Sequence, residues 1–302
     1  MKRWQKIAAR VAGSVLVVLF VGLMVVSRSQ ALDLITHPIG EREAIDQTPA
    51  DFGLAYEDVS VTTPDGLNLV GWYLPSKNGA AIMAQHGYKG DRRGLLDEAA
   101  MLNENGYGVL LTTVRAHDLS DGEVISFGLN EMQDLEAWYQ FLLTRSEVDP
   151  GRIGILGNSL GGSLVIQYAA QNGNIQATVA HSAFSSLDDT VATSIKYFTG
   201  LPAFPFAPAI VLWAEQEVGF DSSEVSAKAW IGGLSPRPVF LLQGGADTAI
   251  SPESGQLLYD AAGEPKELWY EPELGHVAFY TELPEQFEDR VVGFFDRYLL
   301  GD

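Results

Sequence analysis

The chain has 302 residues, 46% of them hydrophobic and 19% charged, the make-up of a globular protein rather than a disordered one, and enough to bury a sizeable core. Its net charge of −20 and its lack of cysteine exclude disulfides, thiolate metal sites, a cysteine nucleophile and a phosphate-binding nucleic-acid surface. The imbalance sharpens past the N-terminus. Lys2, Arg3, Lys6 and Arg10 are four of the 19 basic residues and have no acid among them, so the remainder carries 15 basic against 39 acidic residues.

Behind that basic start, Val11–Val26 ("VAGSVLVVLFVGLMVV") is uncharged and apolar. At about 1.5 Å per residue it covers roughly 24 Å as a helix, and near 30 Å if extended back to Ile7 with Arg10 snorkelling. It reads as an uncleaved membrane anchor. A cleaved signal peptide, cut at the small-x-small Ser29-Gln30-Ala31, and a buried core helix are the other readings. Residues 1–31 are thus expected to be anchor or signal and 32–55 a stalk. The remaining domain, 56–302, is expected outside the cytoplasm, tethered or secreted.

"EDVSVTTPDGLNLVGWYLP" (57–75) predicts a β-hairpin about Pro64-Asp65-Gly66. Strands are expected at 80–87, 107–115, 152–158, 175–182, 237–244 and 266–271. Helices are expected at 92–104, 130–145, 160–172, 252–262 and 283–299. Continuous apolar strands between amphipathic helices predict an α/β domain, a mostly parallel doubly wound sheet with an antiparallel start. Residues 184–236 interrupt the alternation and read as a helical cap. Within them, 197–213 ("YFTGLPAFPFAPAIVLW") is proline-rich and predicts a pocket-lining element, with plain packing over the sheet or bilayer contact as the alternatives.

In open α/β sheets functional groups collect at the carboxyl ends of the strands. Ser159 stands there inside "GNSLGGS", followed in chain order by Asp247 and His276, a serine, an acid and a histidine in the order of an α/β-hydrolase triad. Side chains at 157 and 161 would collide with a tightly packed strand and helix, which explains the two glycines. His276 is the expected base and Asp247 the group that fixes its tautomer. Backbone N–H groups of Tyr88 and Leu160 are the expected oxyanion donors. Asp188 and Asp189 are reserve acids. His37 is placed in the stalk, His86 in the oxyanion loop, His117 in a loop and His181 at a strand end, while Glu131 and Asp134 are expected to cap and solvate their helix.

From about residue 55 to 300 the chain resembles the α/β-hydrolase superfamily, nearest to its serine aminopeptidase-like, dienelactone hydrolase-like and prolyl oligopeptidase-like serine hydrolases. "QHGYKGDRRG", "VRAHDLSDGEVISFGLNEMQDLEAW", "GNSLGGS", "LLQGGADTAISPES" and "LGHVAF" carry the resemblance. The resemblance implies Ser159 as nucleophile, Asp247 as acid, His276 as base, and Tyr88 and Leu160 as the hole. "HGY" also resembles acetyl-ester hydrolases that use a tyrosine there. Relatives often carry glycines where this chain has Ala116 and Asp118. The expected activity is hydrolysis of an ester, less readily an amide or peptide, on a small acyl substrate without metal or cofactor. Acyl transfer through the same residues, or a non-catalytic tethered interaction protein, are the alternatives. Oligomeric state is not readable. With a histidine base the rate should fall as pH drops through the ordinary imidazole range, about 6.5, and a rate–pH profile flat down to about pH 4 would contradict it.

Overall fold

A computed structural model describes residues 3–301; Lys2, part of the basic start, lies outside the described residues. Eight strands form one sheet: β1 (Glu57–Thr62), β2 (Asn68–Leu74), β3 (Ala81–Gln85), β4 (Gly108–Thr112), β5 (Ile153–Asn158), β6 (Ala177–His181), β7 (Val239–Gly244) and β8 (Lys266–Glu271). Their spatial order is β1-β2-β4-β3-β5-β6-β7-β8. β1–β2 and β2–β4 pair antiparallel and the remaining pairs are parallel. The chain therefore has the α/β-hydrolase fold expected from its sequence.

The parallel strands bury both faces, so successive residues serve opposite cores. On β3, Ala81 and Met83 join one apolar cluster while Ile82 and Ala84 join the other. Helices α1 (Arg3–Ile35), α2 (Leu96–Glu104), α3 (Glu131–Leu142) and α4 (Leu160–Gln171) come first in the chain. They are followed by α5 (Leu187–Thr199), α6 (Ala203–Val218), α7 (Ala227–Trp230), α8 (Ser254–Ala261), α9 (Phe279–Glu282) and α10 (Pro284–Phe295). Residues of α2 and α10 fill one cluster, and residues of α3, α4 and α8 fill the other.

Two regions differ from expectation. α1 does not stop at residue 31 but continues to Ile35, and it packs along α6 with Ser27, Ala31 and Ile35 buried. Residues 36–55, expected as a stalk, instead lie on the domain. Thr36 bridges to Val124, His37 N–H donates to the Glu123 carbonyl, and Arg42 donates to the carbonyls of His37, Asp118, Ser120 and Gly122. The second difference concerns charge. Glu131 and Asp134 are not solvated; both are fully buried. Glu131 accepts from Ser126 N–H, Ser126 Oγ and Gly128 N–H, capping from inside the core. Asp134 holds Arg115, which also reaches Asp65.

Cap helices α5 and α6 meet at a bend of 113°, with Phe204 extended (φ −98, ψ 132) just inside α6. α1 is long and apolar enough to cross a membrane, and its first two-thirds are exposed.

Burial pushes the Asp134 carboxyl up to about 6, against the opposing pull of Arg115. A carboxyl raised in the fold contributes stability that fades as pH rises towards that value. Arg115→Met strands this carboxylate and is expected to cost about 3–5 kcal/mol in chemical denaturation at pH 8. The loss should be smaller at pH 5, where the carboxyl is neutral; equal losses at both pH values would contradict the burial argument.

Candidate active site

The turn from β5 into α4 explains why serine stands between glycines. Ser159 has φ 56 and ψ −119, outside the regular regions, at a cost of about 1–3 kcal/mol. A Cβ on Gly157 would strike the Gly161 carbonyl, and one on Gly161 would strike the carbonyls of Gln85 and His86. Only bare backbone can cross here. Ser159 N–H donates to the His181 carbonyl at 2.8 Å, which ties the turn to the end of β6.

Asp247 follows β7 with its side chain buried. One carboxylate oxygen accepts from the N–H groups of Ala249 and Ile250, both at 2.9 Å, and the other lies 2.7 Å from His276 Nδ1. That acceptor fixes the tautomer: Nδ1 carries the proton and Nε2 is left as an acceptor. The histidine loop is held in turn. Val277, at φ 52, donates to Ser182 Oγ, and Ala246 N–H donates to the Leu274 carbonyl. Ser159 and His276 line one cavity of about 740 Å³, behind whose imidazole Asp247 sits. Among the described residues no hydrogen bond joins the serine hydroxyl to the ring; such bonds often tighten only with substrate bound.

Tyr88 and Leu160 line the same cavity. Among the described residues the backbone N–H of neither has a partner within the protein, and Leu160 opens α4, where helical N–H groups are left over. The Tyr88 phenol does not face the serine. It donates to the carbonyls of Leu34 (2.9 Å) and Asp33 (3.2 Å) at the end of α1, and Lys89 Nζ donates to Asp33 at 3.0 Å. Burial pushes this phenol's pKa up.

The other histidines are removed from proton transfer. Burial lowers His37, His86 and His117, the last well below the usual range, and lowers His181 to about 3. His37 donates to the Ala116 carbonyl from the domain's interior rather than from a stalk. His117 accepts from Lys89 N–H, and His86 packs 4.8 Å from His117. Asp188 binds Ser222 Oγ and Asp189 binds Ser254 Oγ, so neither reserve acid reaches His276. Ala116 (φ 62) and Asp118 (φ 52) keep a left-handed loop without glycine. Asp118 compensates through its own carboxylate, which takes the Leu119 N–H and the buried Arg92.

One residue escaped the sequence reading. Glu98 is buried beneath the site, and its Oε1 accepts from Asn158 Nδ2 at 3.3 Å, beside Ser159. It lies in the apolar stripe Leu95-Ala99-Leu102 at helical spacing, the signal that would have exposed it. Among the described residues no group of three or more His, Asp or Glu is placed to hold a metal ion.

The profile of the prolyl oligopeptidase family matches residues 125–302. The chain is 31% identical over 241 residues to an uncharacterised protein of Mycobacterium tuberculosis, covering 79% of this chain and 76% of that one. It is 27% identical over 289 residues to a polyketide transferase of Stachybotrys chlorohalonatus, covering 80% and 97%. Among solved structures the Pyrococcus furiosus esterase Pf2001 superposes with a TM-score of 0.75 at 28% identity, covering 88% of this chain and 98% of that one.

Burial raises Glu98 to about 7 from an ordinary 4.5. Between those values the folded state holds a proton that the unfolded state has lost, so stability falls as pH rises through the window. Glu98→Gln should remove that slope, gaining up to about 3 kcal/mol relative to the parent between pH 4.5 and 8 in urea melts. Parallel stability–pH curves would show that Glu98 is not the group responsible.

Proposed function

This chain belongs to the prolyl oligopeptidase family of α/β-hydrolases, and from that premise we propose that it hydrolyses esters through an acyl-enzyme on Ser159. The observation that supports this reading is the arrangement around one cavity: a serine on a strained turn, an imidazole whose tautomer a buried carboxylate fixes, and two residues whose N–H groups have no partner among the described residues.

In the proposed mechanism Ser159 Oγ attacks the acyl carbon while His276 Nε2 takes its proton. Asp247 stabilises the resulting imidazolium. The N–H groups of Tyr88 and Leu160 stabilise the oxyanion; losing one such donor typically costs about 3–4 kcal/mol of transition-state stabilisation. Collapse breaks the acyl C–O bond, and the alcohol leaves with the proton held by His276. Water then enters, gives a proton to His276 and attacks the acyl-enzyme. The carboxylic acid departs and Ser159 recovers its proton.

Ester is favoured over amino-terminal peptide cleavage. Holding a free substrate amine calls for acids, and among the described cavity-lining residues Asp33 is the single carboxylate. The similarity to an esterase points the same way. The similarity to a polyketide transferase favours a second reading, in which an alcohol or amine replaces water in the second half-reaction. Product analysis with added acceptors separates the two.

A fluorophosphonate probe should label Ser159, and Ser159→Ala should abolish both labelling and turnover while leaving the fold intact. Asp247→Asn is expected to lower the rate by about 10⁴, because the amide no longer holds the required tautomer. Full activity in Asp247→Asn together with a dead Asp188→Asn would show that the acid is misassigned.

A further inference from the structure

The cavity has a wall that the hydrolase fold itself does not supply. Gln30, Asp33 and Leu34 of α1 line it, together with Val191, Ile195 and Phe198 of α5. Its other lining is largely apolar, and its volume of about 740 Å³ lies within the span of about 300–1,000 Å³ usual for ligand sites. α1 is also the helix long and apolar enough to cross a membrane. Its uncharged run ends at Val26. At about 1.5 Å per residue, Gln30 to Leu34 stand roughly 6–12 Å beyond the end of that run. The polar interface of a bilayer leaflet is about 5–8 Å thick, so this wall of the cavity begins at headgroup depth.

The mouth of the cavity carries exposed aromatic side chains. Phe198 lines the cavity and is nevertheless 65% exposed, which places it at the mouth. Tyr197 packs against it at 5.0 Å and is 65% exposed, and Phe204, in the turn into α6, is 82% exposed. Aromatic side chains of this kind favour the membrane–water interface. α1 and the cap are fixed to each other: Arg28, two residues past the apolar run, pairs with Glu217 at 2.6 Å and lies over Trp213 of α6. The helix that could span a bilayer, the cap and the exposed aromatics of the cavity mouth thus belong to one packed unit.

We propose that the substrate is a long-chain acyl ester drawn from the bilayer, its chain passing between α1 and α5 into the cavity while the ester stops at Ser159. This rests on the ester-hydrolase reading above and adds to it the substrate class and its route. The large apolar volume beside the serine would otherwise hold water against unpaired carbon. The exposed aromatics would otherwise cost solubility on a surface whose charge is strongly negative.

The full chain, reconstituted in phosphatidylcholine vesicles, is assayed with p-nitrophenyl acetate, which stays in water, and p-nitrophenyl palmitate, which partitions. The palmitate should be the better substrate in kcat/KM by at least about tenfold. The double variant Tyr197→Asp/Phe204→Asp touches neither the cavity nor the reacting groups. It should lose at least about tenfold on palmitate while acetate turnover stays unchanged, and that turnover reports an intact fold. Preference for acetate, or a double variant that treats both esters as the parent does, overturns the bilayer route and leaves the hydrolase reading standing. Turnover of neither ester by folded protein overturns the ester reading, and this inference falls with it.

Discussion

The site depends on one close approach of bare backbone. Where β5 turns into α4, Gly161 lies against the carbonyls of Gln85 and His86, and Gly157 lies against Gly161. A methyl group at 161 would part β3 from the β5–α4 turn, and one at 157 would push β5 off the first turn of α4. At this crossing Ser159 takes a positive φ, and a Cβ on Gly87 would come within 3.2 Å of the serine's Cβ. The crossing also sets the loop bearing Tyr88 beside the first turn of α4. The proposed nucleophile and oxyanion donors are thus placed by the same contact, and their geometry cannot drift independently.

Around that contact the chain tolerates strain because buried hydrogen bonds, and in one place a buried ion pair, hold it. Lys89, Ala116, Asp118, Ser159, Ser182 and Val277 all have positive φ without being glycine. Each is pinned or lies beside a residue that is: Lys89 N–H on His117, Asp118 on Arg92, Ser159 on His181, Val277 on Ser182. Where relatives often use glycine after the arginine, Asp118 keeps the turn and gains a carboxylate that neutralises a buried guanidinium. Breaking a pair of this kind leaves an uncompensated charge, which costs far more than the turn strain it supports.

Periodicity made the sheet and its helices legible. Strand positions agree to within a few residues, since strands buried on both faces read as unbroken apolar runs and each helix keeps its stripe. The predicted helix at 92–104 begins only at Leu96 because Asp91 first closes its own turn onto Arg93 and Gly94. Ser159, Asp247 and His276 were legible because chain order and strand ends carry them. Arg42 and Arg115 were not. Apart from the His37 carbonyl, five residues from Arg42, their partners lie 19 to 80 residues away, and such contacts leave no periodic trace. Glu131 and Asp134 occupy the apolar face of their helix, so composition suggested solvent where position implied core, and Glu98 on α2 is buried in the same way. The continuation of α1 to Ile35 was hidden for a related reason. Polar residues Ser27 to Asp33 look like the end of a span, yet Ala31 and Ile35 find apolar partners in the folded domain.

That continuation changes what the N-terminal helix is for. A helix that only tethered the domain would end in solvent with its last carbonyls hydrated. Here the phenol of Tyr88 and the ammonium of Lys89 satisfy the carbonyls of Asp33 and Leu34, and a cation meets the negative end of the helix dipole. Tyr88 is the same residue whose N–H is left unpartnered beside Ser159. Its ring packs parallel to Phe127 at 6.3 Å, so the phenol and the N–H are parts of one rigid body. The end of α1 and the proposed oxyanion loop therefore constrain each other. Cutting the chain near residue 31 would remove the carbonyls that Tyr88 and Lys89 hold, along with one wall of the cavity. On these contacts the end of α1 belongs to the candidate site, and the cavity keeps this wall only while Gln30 to Leu34 remain in the chain.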